Sequence, residues 1–324
     1  MKQLLRMAGV ALALVASLLA VFPAVGQPVL DRPVILVVPF AAGGATDAIG
    51  RVIGRRLADL VGQPVVVENK PGAGGTLGIG YVARALPDSN TIVLVNALQH
   101  TSSAKLYPGL RYDAITSFRP LAAIGTVRYM LLVNPGFEAR DYDAFVRLVR
   151  SQPGRYSYAS AGVGSAPHLV MELFARTEGL TMVHVPYNGS APAMTDLVAN
   201  HVPIAMDNVA AVSFLKAGRL RALATSGSRR DASFPDVPTF AEQGWKGPDL
   251  VGHWGFLAPA AMPDRIANAL GEAMAQAMKD PAVTEALRAQ GIQPEYGTPA
   301  RFGATLVEEA GKWSRIIDEA RIKL

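Results

Sequence analysis

The residues with the clearest chemical potential lie in a glycine-rich turn, Pro39–Asp47, which follows the apolar run Val34–Val38. Its two adjacent glycines leave backbone N–H groups uncovered by side chains. Thr46 or Asp47 then stands where a helix N-cap is expected. Uncovered N–H groups at the start of a helix favour a small anion. Because the turn has no Lys, Arg, His or Cys, it predicts binding rather than catalysis, with Asp47 as a structural or capping carboxylate.

A second glycine-rich turn, Gly72–Gly78, invites comparison with dinucleotide-binding loops. The fingerprint G-x-G-x-x-G would need glycine at position 77, where this chain has Leu77. The chain also has no Walker A sequence. The turn therefore does not predict a nucleotide site, and its glycines are equally compatible with anion contact and with an ordinary turn.

Ser160, Ser165 and His168 lie close together in the sequence and raise the possibility of acyl transfer. Neither serine has the G-x-S-x-G frame of a nucleophile elbow, and catalytic triads are assembled from distant positions. Ser165 is better interpreted as an N-cap whose hydroxyl faces a ligand. His168 is then either a ligand donor or a packed histidine. An exported hydrolase that uses Ser160 or Ser165 with His168 is the alternative function.

Metal and cofactor chemistry receive no support from the residue pattern. The other four histidines have no metal-ligand spacing, and the chain has no cysteine. We expect no metal and no cofactor. Asp207 follows an apolar run and is equally compatible with a polar contact to a ligand and with a turn.

The first 26 residues predict a secretory signal. Lys2 and Arg6 precede the apolar stretch Val10–Val21, and small residues lead up to a cleavage site after Gly26. Because the chain has neither disulfides nor a lipobox cysteine, we expect an exported soluble protein in the periplasm. Without Lys2 and Arg6 the formal charge falls from +5 to +3, and the basic residues are scattered, which excludes nucleic acid as an expected partner.

Strand and helix patterns alternate along the chain and predict an α/β fold with mostly parallel sheets in two lobes. We expect residues 27–130 and 250–324 to form the first lobe and residues 131–249 the second. Nine strands are predicted, at residues 34–38, 64–68, 90–96, 121–133 (a long strand or a crossover), 156–159, 182–187, 202–207, 221–225 and 252–259. Helices are predicted after residue 47, at 76–86, 141–151, 168–176 and 189–198, and from near Pro263, Pro281 and Pro299.

Several of these segments together resemble one family. Pro39–Asp47, Val67–Gly75, Tyr158–Ser165, His184–Ala193 and Phe234–Glu242 look like the ordered signatures of the Bug proteins. These are the TctC-like periplasmic substrate-binding components of tripartite tricarboxylate transporters. The resemblance runs from about residue 33 to the C-terminal helix and implies a type II periplasmic binding protein fold, in which two α/β lobes close on a ligand.

The resemblance also implies a set of ligand-binding positions in both lobes. Backbone amides of two first-lobe loops would hold the carboxylate of a small metabolite, and second-lobe residues would lie across the cleft. Positions 188, 190, 200 and 201 depart from the family pattern, so the ligand is not inferred by analogy. The implied positions are Phe40, Ala41, Gly44, Thr46, Gly72, Ala73, Gly74, Asn96, Gln99, His100, Ser160, Ala161, Gly162, Ser165, Tyr187, Gly189 and Asp207.

The implied function is non-catalytic capture of a small carboxylate-containing metabolite. The receptor would be a monomer that delivers its ligand to the membrane components of a tripartite tricarboxylate transporter or to a sensor kinase. A ligand-free structural protein of the periplasm is a further alternative.

Overall fold

The computed structural model describes residues 30–87, 89–207, 209–319 and 321–322, so the predicted signal sequence lies outside the described residues. The strands are β1 (Val34–Val38), β2 (Val65–Asn69), β3 (Thr91–Asn96), β4 (Phe118–Arg128), β5 (Met130–Val133), β6 (Ser157–Ser160), β7 (Val183–Pro186), β8 (Ile204–Asp207), β9 (Arg221–Thr225), β10 (Val251–Pro259) and β11 (Ile292–Gly297). The helices are α1 (Ala45–Val61), α2 (Thr76–Ala83), α3 (Ala97–Leu106), α4 (Tyr142–Ser151), α5 (Ala166–Thr177), α6 (Ser190–Val198), α7 (Val212–Lys216), α8 (Asp264–Ala277), α9 (Pro281–Ala289) and α10 (Pro299–Glu319).

The strands form two sheets, one in each lobe. The first has the order β11-β4-β10-β3-β1-β2 and the second the order β7-β6-β8-β5-β9. The predicted α/β fold with two lobes is confirmed, but the prediction of mostly parallel sheets is wrong. Only β1 with β2 and β3, and β6 with β7 and β8, pair in parallel, whereas the pairs made by β4, β5 and β10 are antiparallel. The cause is that strands passing between the lobes enter each sheet from the opposite direction.

Two segments of the chain pass from one sheet to the other, and they lie beside each other. The predicted strand at residues 121–133 is a crossover, because β4 belongs to the first sheet and β5 to the second, with only Tyr129 between them. Ser226, just after β9, lies next to this crossover. The backbone N–H of Ser226 donates to the Tyr129 carbonyl oxygen at 2.8 Å, and the Tyr129 N–H donates to Ser226 Oγ at 2.9 Å. The two crossing segments are therefore hydrogen-bonded to each other between the lobes.

Apolar clusters cover both faces of each sheet. In the first lobe, α1 and α8 pack on one face while α2 and α10 pack on the other. The helix α1 buries Ile49, Ile53 and Leu57, which recur at every fourth residue and so form one face. This layering places the carboxyl ends of β1 and β3 and the helix starts that follow them at one edge of the sheet.

The C-terminal helix α10 belongs to the cores of both lobes. Near its start, Phe302 and Leu306 pack against β10 of the first lobe. Towards its end, Trp313 and Ile317 join the cluster that covers one face of the second sheet. The indole Nε1 of Trp313 donates to Glu309 Oε2 at 3.0 Å, so its polar atom is satisfied inside the core.

The sequence analysis did not predict α3, α7 or β11. In α3 the residues 99–103 are all polar and all buried, so polar side chains lie on every side of the helix and no single polar face produces an amphipathic period. No helix within the described residues has the length and hydropathy needed to span a membrane.

We expect Trp313→Ala to destabilise the protein by about 3–5 kcal/mol, because it empties a large buried volume. The substitution Val307→Ala is the matched control, since Val307 lies on the same helix with 58% of its surface exposed. Urea unfolding followed by circular dichroism measures both changes. Equal midpoints for the two variants would contradict the assignment of α10 to the shared core.

Candidate ligand-binding site

The first predicted loop ends in a helix whose N-cap is Gly44, not Thr46 or Asp47 as the sequence predicted. Gly44 has an extended backbone (φ −83°, ψ 176°), and no side chain caps α1. Thr46 and Asp47 instead lie inside the first turn and are buried. The uncapped N–H groups at this helix start therefore remain available to an anion.

The carboxylate of Asp47 holds the first predicted loop in place through hydrogen bonds. It accepts hydrogen bonds from the Gly43 N–H at 3.0 Å, from Arg51 Nε at 2.9 Å and from Asn69 Nδ2 at 3.0 Å. Asn69 also donates to the Phe40 carbonyl oxygen at 3.0 Å, which ties the loop to the end of β2. Burial by itself raises the pKa of Asp47, but the hydrogen bonds from Arg51, Gly43 and Asn69 together hold it below its usual value. These contacts match the structural role expected for this carboxylate.

The second predicted loop lies against the second lobe. Gly74 has a φ of 61°, and a Cβ atom at this position would come within 2.5 Å of the Val163 carbonyl oxygen. The Tyr107 hydroxyl, at the end of α3, donates to the same oxygen at 2.8 Å. The two lobes therefore touch here, and the contact requires glycine at position 74.

The loop of the second lobe that follows β6 is held by its own side chains. Ser160 Oγ accepts from the Gly162 N–H at 3.1 Å and lies 2.7 Å from His184 Nε2. Ser165 is the N-cap of α5 and accepts from the His168 N–H at 3.4 Å, which confirms the predicted capping role.

The histidine of this loop is packed inside the lobe. His168 Nδ1 accepts from the Gly164 N–H at 3.2 Å, and its ring stacks on His184 with the ring centres 4.1 Å apart. Burial lowers the pKa of both histidines to about 4. Neither Ser160 nor Ser165 makes a hydroxyl contact with the His168 ring among the described hydrogen bonds, so the serine–His168 pair of the hydrolase alternative is not formed in this arrangement.

His100 is surrounded by aromatic side chains of the first lobe. Its Nε2 lies 2.7 Å from the Ala114 carbonyl oxygen and donates to it, since a carbonyl can only accept. Its ring packs on Tyr112 and edge-on against Phe118. Burial lowers the pKa of His100 to about 4, against the opposing influence of the Ala114 carbonyl and Asp113.

A cavity between the lobes, here called the inner cavity, brings together eight of the predicted positions. It also contains residues that the sequence analysis did not assign to the site. About 40 Å³ of it is open to the centres of water-sized molecules. It is lined by Phe40, Ala41, Gly44, Thr46, Asn96, Gln99, Tyr129, Ala161, Ala166, Pro167, Gly189, Ser190, Ala191, Pro192 and Trp254.

A neighbouring outer cavity shares Phe40 and Ala161 with the inner one. It is lined by five other predicted positions, Gly72, Ala73, Gly74, Gly162 and Tyr187. The remaining predicted residues line neither cavity. Asp207 is buried at the end of β8, and the other five, Asp47, His100, Ser160, Ser165 and His168, are buried behind the loops in the contacts described above.

Four helices begin at the inner cavity. Gly44, Asn96 and Gly189 are the N-caps of α1, α3 and α6, and Ala166 is the first residue of α5. No side chain caps α1, α3 or α6. The residues that line the cavity include no Asp, Glu, Lys or Arg. The positive ends of four helix dipoles therefore face one another with no charged side chain lining the space between them.

The lining positions that sequence reasoning missed are Tyr129, Ala166, Pro167, residues 190–192 and Trp254. Trp254 lies directly opposite Asn96 in the antiparallel pairing of β10 with β3, so it reaches the cavity from a position more than 150 residues away. No local signal could have found it. The start of α6 after Gly189 was visible in the sequence and could have placed residues 190–192 at the cavity.

A cleft between two α/β lobes, lined by helix N-termini, defines a periplasmic binding protein of the two-lobed type. Residues 49–322 match the model of the tripartite tricarboxylate transporter family receptor, TctC. The chain belongs to this family, a class of solute-binding receptors rather than of enzymes.

Similarity to individual relatives supports this family assignment. The chain is 35% identical to protein BugT of Bordetella pertussis over 297 residues, which cover 90% of each protein. The solved structure of the periplasmic binding protein BugD matches 90% of this chain and 99% of its own, with 31% identity and a TM-score of 0.86. MatC from Rhodopseudomonas palustris, solved with bound malate, matches 89% of this chain and 99% of its own, with 32% identity and a TM-score of 0.83.

We expect Asp47→Ala to destabilise the protein by about 2–3 kcal/mol, because it leaves the buried hydrogen-bond donors of the first loop unpaired. Asp59→Ala is the matched control on the same helix, since the Asp59 side chain is 71% exposed and its ion pair with Arg56 contributes little. Chemical unfolding measures both. Similar losses of stability in the two variants would contradict the structural role of Asp47.

The free energy of unfolding is expected to fall as the pH drops from about 6.5 to about 4. In this interval the histidines of the unfolded chain bind protons, whereas the buried histidines of the folded protein stay neutral. For His100 the difference between a pKa of 6.5 and one of about 4 is equivalent to about 3 kcal/mol. The variant His100→Phe should show a shallower loss of stability over this interval, whereas His201→Phe, at an exposed side chain, should follow the wild type. Unfolding midpoints at several pH values measure the slopes. A His100→Phe slope as steep as that of the wild type would refute the assignment.

Proposed function

We propose that this chain captures a small carboxylate in the inner cavity and holds it chiefly through backbone N–H groups. The observation that carries the proposal is the convergence of four helix N-termini on a cavity lined by no charged side chain. Such a site attracts negative charge, and it pairs with a carboxylate through hydrogen bonds rather than through a fixed cation. The malate bound by MatC supports a carboxylic acid as the ligand class.

The energetics of such a site are sufficient for a receptor. A hydrogen bond to a charged group contributes about 1.5–3 kcal/mol, and a helix N-terminus adds about 0.3–1 kcal/mol. A micromolar dissociation constant requires about 8 kcal/mol. Four or five well-directed N–H groups therefore reach this affinity before the costs of ordering are subtracted.

Ligand binding is coupled to the approach of the lobes. Loops of both lobes line the inner cavity, so a ligand bridges them and stabilises the arrangement in which they touch. The first lobe would contribute Phe40, Ala41, Gly44 and Thr46, and the second would contribute Ala161 and Gly189. We propose residues 27–130 with 250–324 and residues 131–249 as the two lobes, joined also through the end of α10, which packs into the core of the second lobe.

The cellular role follows from the family. We propose a monomer in the periplasm, released by cleavage near Gly26, that passes its ligand to the membrane components of a tripartite tricarboxylate transporter or to a sensor kinase. The receptor would bind its ligand without turnover. Uptake of the ligand that is unchanged after deletion of the gene would argue against the transporter as partner.

A thermal-shift screen of refolded, ligand-free protein tests the carboxylate proposal. A ligand at 100 times its dissociation constant stabilises by about 2.7 kcal/mol, which should raise the midpoint by several degrees. We expect a selective shift with mono-, di- or tricarboxylates and none with the matching amides or alcohols. Equal responses to an acid and its amide would contradict an anion site.

The approach of the lobes is tested by Gly74→Ala, which we expect to weaken ligand affinity at least about tenfold, because the added Cβ would meet the Val163 carbonyl. Gly62→Ala is the matched control. Its φ of 67° imposes a similar backbone strain, and nothing lies within 4 Å of the added atom. Isothermal titration measures both affinities. Equal affinity in the two variants would mean that the contact at Gly74 does not accompany binding.

A further inference from the structure

The wall of the inner cavity nearest the crossing segments carries three buried polar atoms that have no partner within the described structure. They are Asn96 Oδ1, Gln99 Oε1 and Trp254 Nε1. The three side chains lie together, because Trp254 pairs with Asn96 across β10 and β3, and Gln99 follows Asn96 in the first turn of α3. Their residues are only 3%, 1% and 4% exposed.

The neighbouring contacts determine which end of the Gln99 amide is unpaired. Gln99 Nε2 donates to Ser103 Oγ at 3.3 Å, while the Ser103 hydroxyl donates its only hydrogen to the backbone carbonyl oxygen of Gln99 at 2.7 Å. Ser103 can therefore only accept from the Gln99 side chain, which leaves Oε1 as the free atom. Asn96 Nδ2 donates to the Tyr129 hydroxyl at 3.2 Å, and Asn96 Oδ1 has no partner within the described structure.

This wall differs chemically from the rest of the cavity. The helix N-termini supply only donors, whereas the two amide oxygens are acceptors and need a hydrogen from the ligand. A carboxylate alone has none to give. A hydroxyl group can donate to one amide oxygen and accept from the Trp254 indole N–H at the same time.

An ammonium group fits the wall less well than a hydroxyl. It can donate to the amide oxygens but cannot accept from Trp254. It would also lie near the positive ends of four helices in a cavity whose described lining includes no carboxylate side chain to balance its charge.

We propose that the ligand is a hydroxycarboxylic acid, whose carboxylate lies at the helix N-termini and whose hydroxyl lies against Asn96, Gln99 and Trp254. This inference rests on the proposed function, because it assumes that a carboxylate occupies the inner cavity. The three side chains act as the specificity-determining residues, and an acid without the hydroxyl leaves their buried polar atoms unpaired.

The first test compares acids that differ only by the hydroxyl group. Isothermal titration of ligand-free protein would use propionate with lactate, succinate with malate, and glutarate with 2-hydroxyglutarate, with both enantiomers of each hydroxy acid. We expect at least tenfold tighter binding of one hydroxy acid than of its partner. Equal affinity within the pair that binds best would overturn the proposal, as would tighter binding of aspartate than of malate or of glutamate than of 2-hydroxyglutarate.

The titrations of the acid pairs distinguish a failure of the hydroxyl inference from a failure of carboxylate capture. If no acid of any pair binds, the proposal of carboxylate capture fails together with it. If acids bind without regard to the hydroxyl, carboxylate capture stands and only the hydroxyl inference fails.

The second test removes the wall's polar atoms one at a time. Trp254→Phe keeps an aromatic ring but removes the N–H, and Gln99→Met keeps the length but removes the amide. Each should reduce the preference for the hydroxy acid, measured as the ratio of its affinity to that of the unhydroxylated acid, at least about fivefold.

The control is Trp245→Phe, since Trp245 packs on Phe174 in the second lobe and donates to the Pro248 carbonyl. It should leave the preference unchanged. Thermal unfolding of each variant confirms folding before titration. A wild-type preference that persists in both Trp254→Phe and Gln99→Met would overturn the role of this wall.

Discussion

Backbone N–H groups at the starts of four helices meet in one small space, and the surrounding structure must keep that space free of competing charge. The helices belong to different lobes, so the carboxyl ends of the strands that precede them must point to the same cleft. Side-chain caps would consume the N–H groups, and three of the four starts have none. A lysine or arginine is not required, because the aligned peptide dipoles supply the positive potential.

Asp47 shows how the fold keeps a necessary carboxylate away from that potential. It lies in the first turn of α1, yet its oxygens accept hydrogen bonds from Gly43, Arg51 and Asn69, none of which lines the inner cavity. The positive guanidinium of Arg51 balances its charge there. The same contacts fix the loop that presents Phe40 and Ala41 to the ligand. One network thus shapes the loop and removes a repulsive charge from the site.

Local sequence signals predicted the loops well and their surroundings poorly. The glycine turns and the Ser165 cap could be recognised because a few adjacent residues determine them. The cap of α1 was wrongly assigned because the Asp47 carboxylate is held by Asn69, which is 22 residues away. The helix α3 has no single polar face, so it left no periodic signal. Trp254 reaches Asn96 only through the pairing of β10 with β3, and no spacing in the sequence encodes that pairing.

The cleft has two kinds of surface, which differ in their distance from the crossing segments: the wall formed by Asn96, Gln99 and Trp254 lies near them, and the loops at Gly74 and Val163 lie farther out. Tyr129 lies between β4 and β5, is hydrogen-bonded to Ser226 of the second crossing segment, and accepts from Asn96 at the cavity wall. Residues near a crossing move little when two lobes rotate about it, whereas loops farther out sweep through larger distances. The wall formed by Asn96, Gln99 and Trp254 would therefore already be in place before the proposed closure. In the proposed closure, the loops at Gly74 and Val163 would come together around a wall that is already formed.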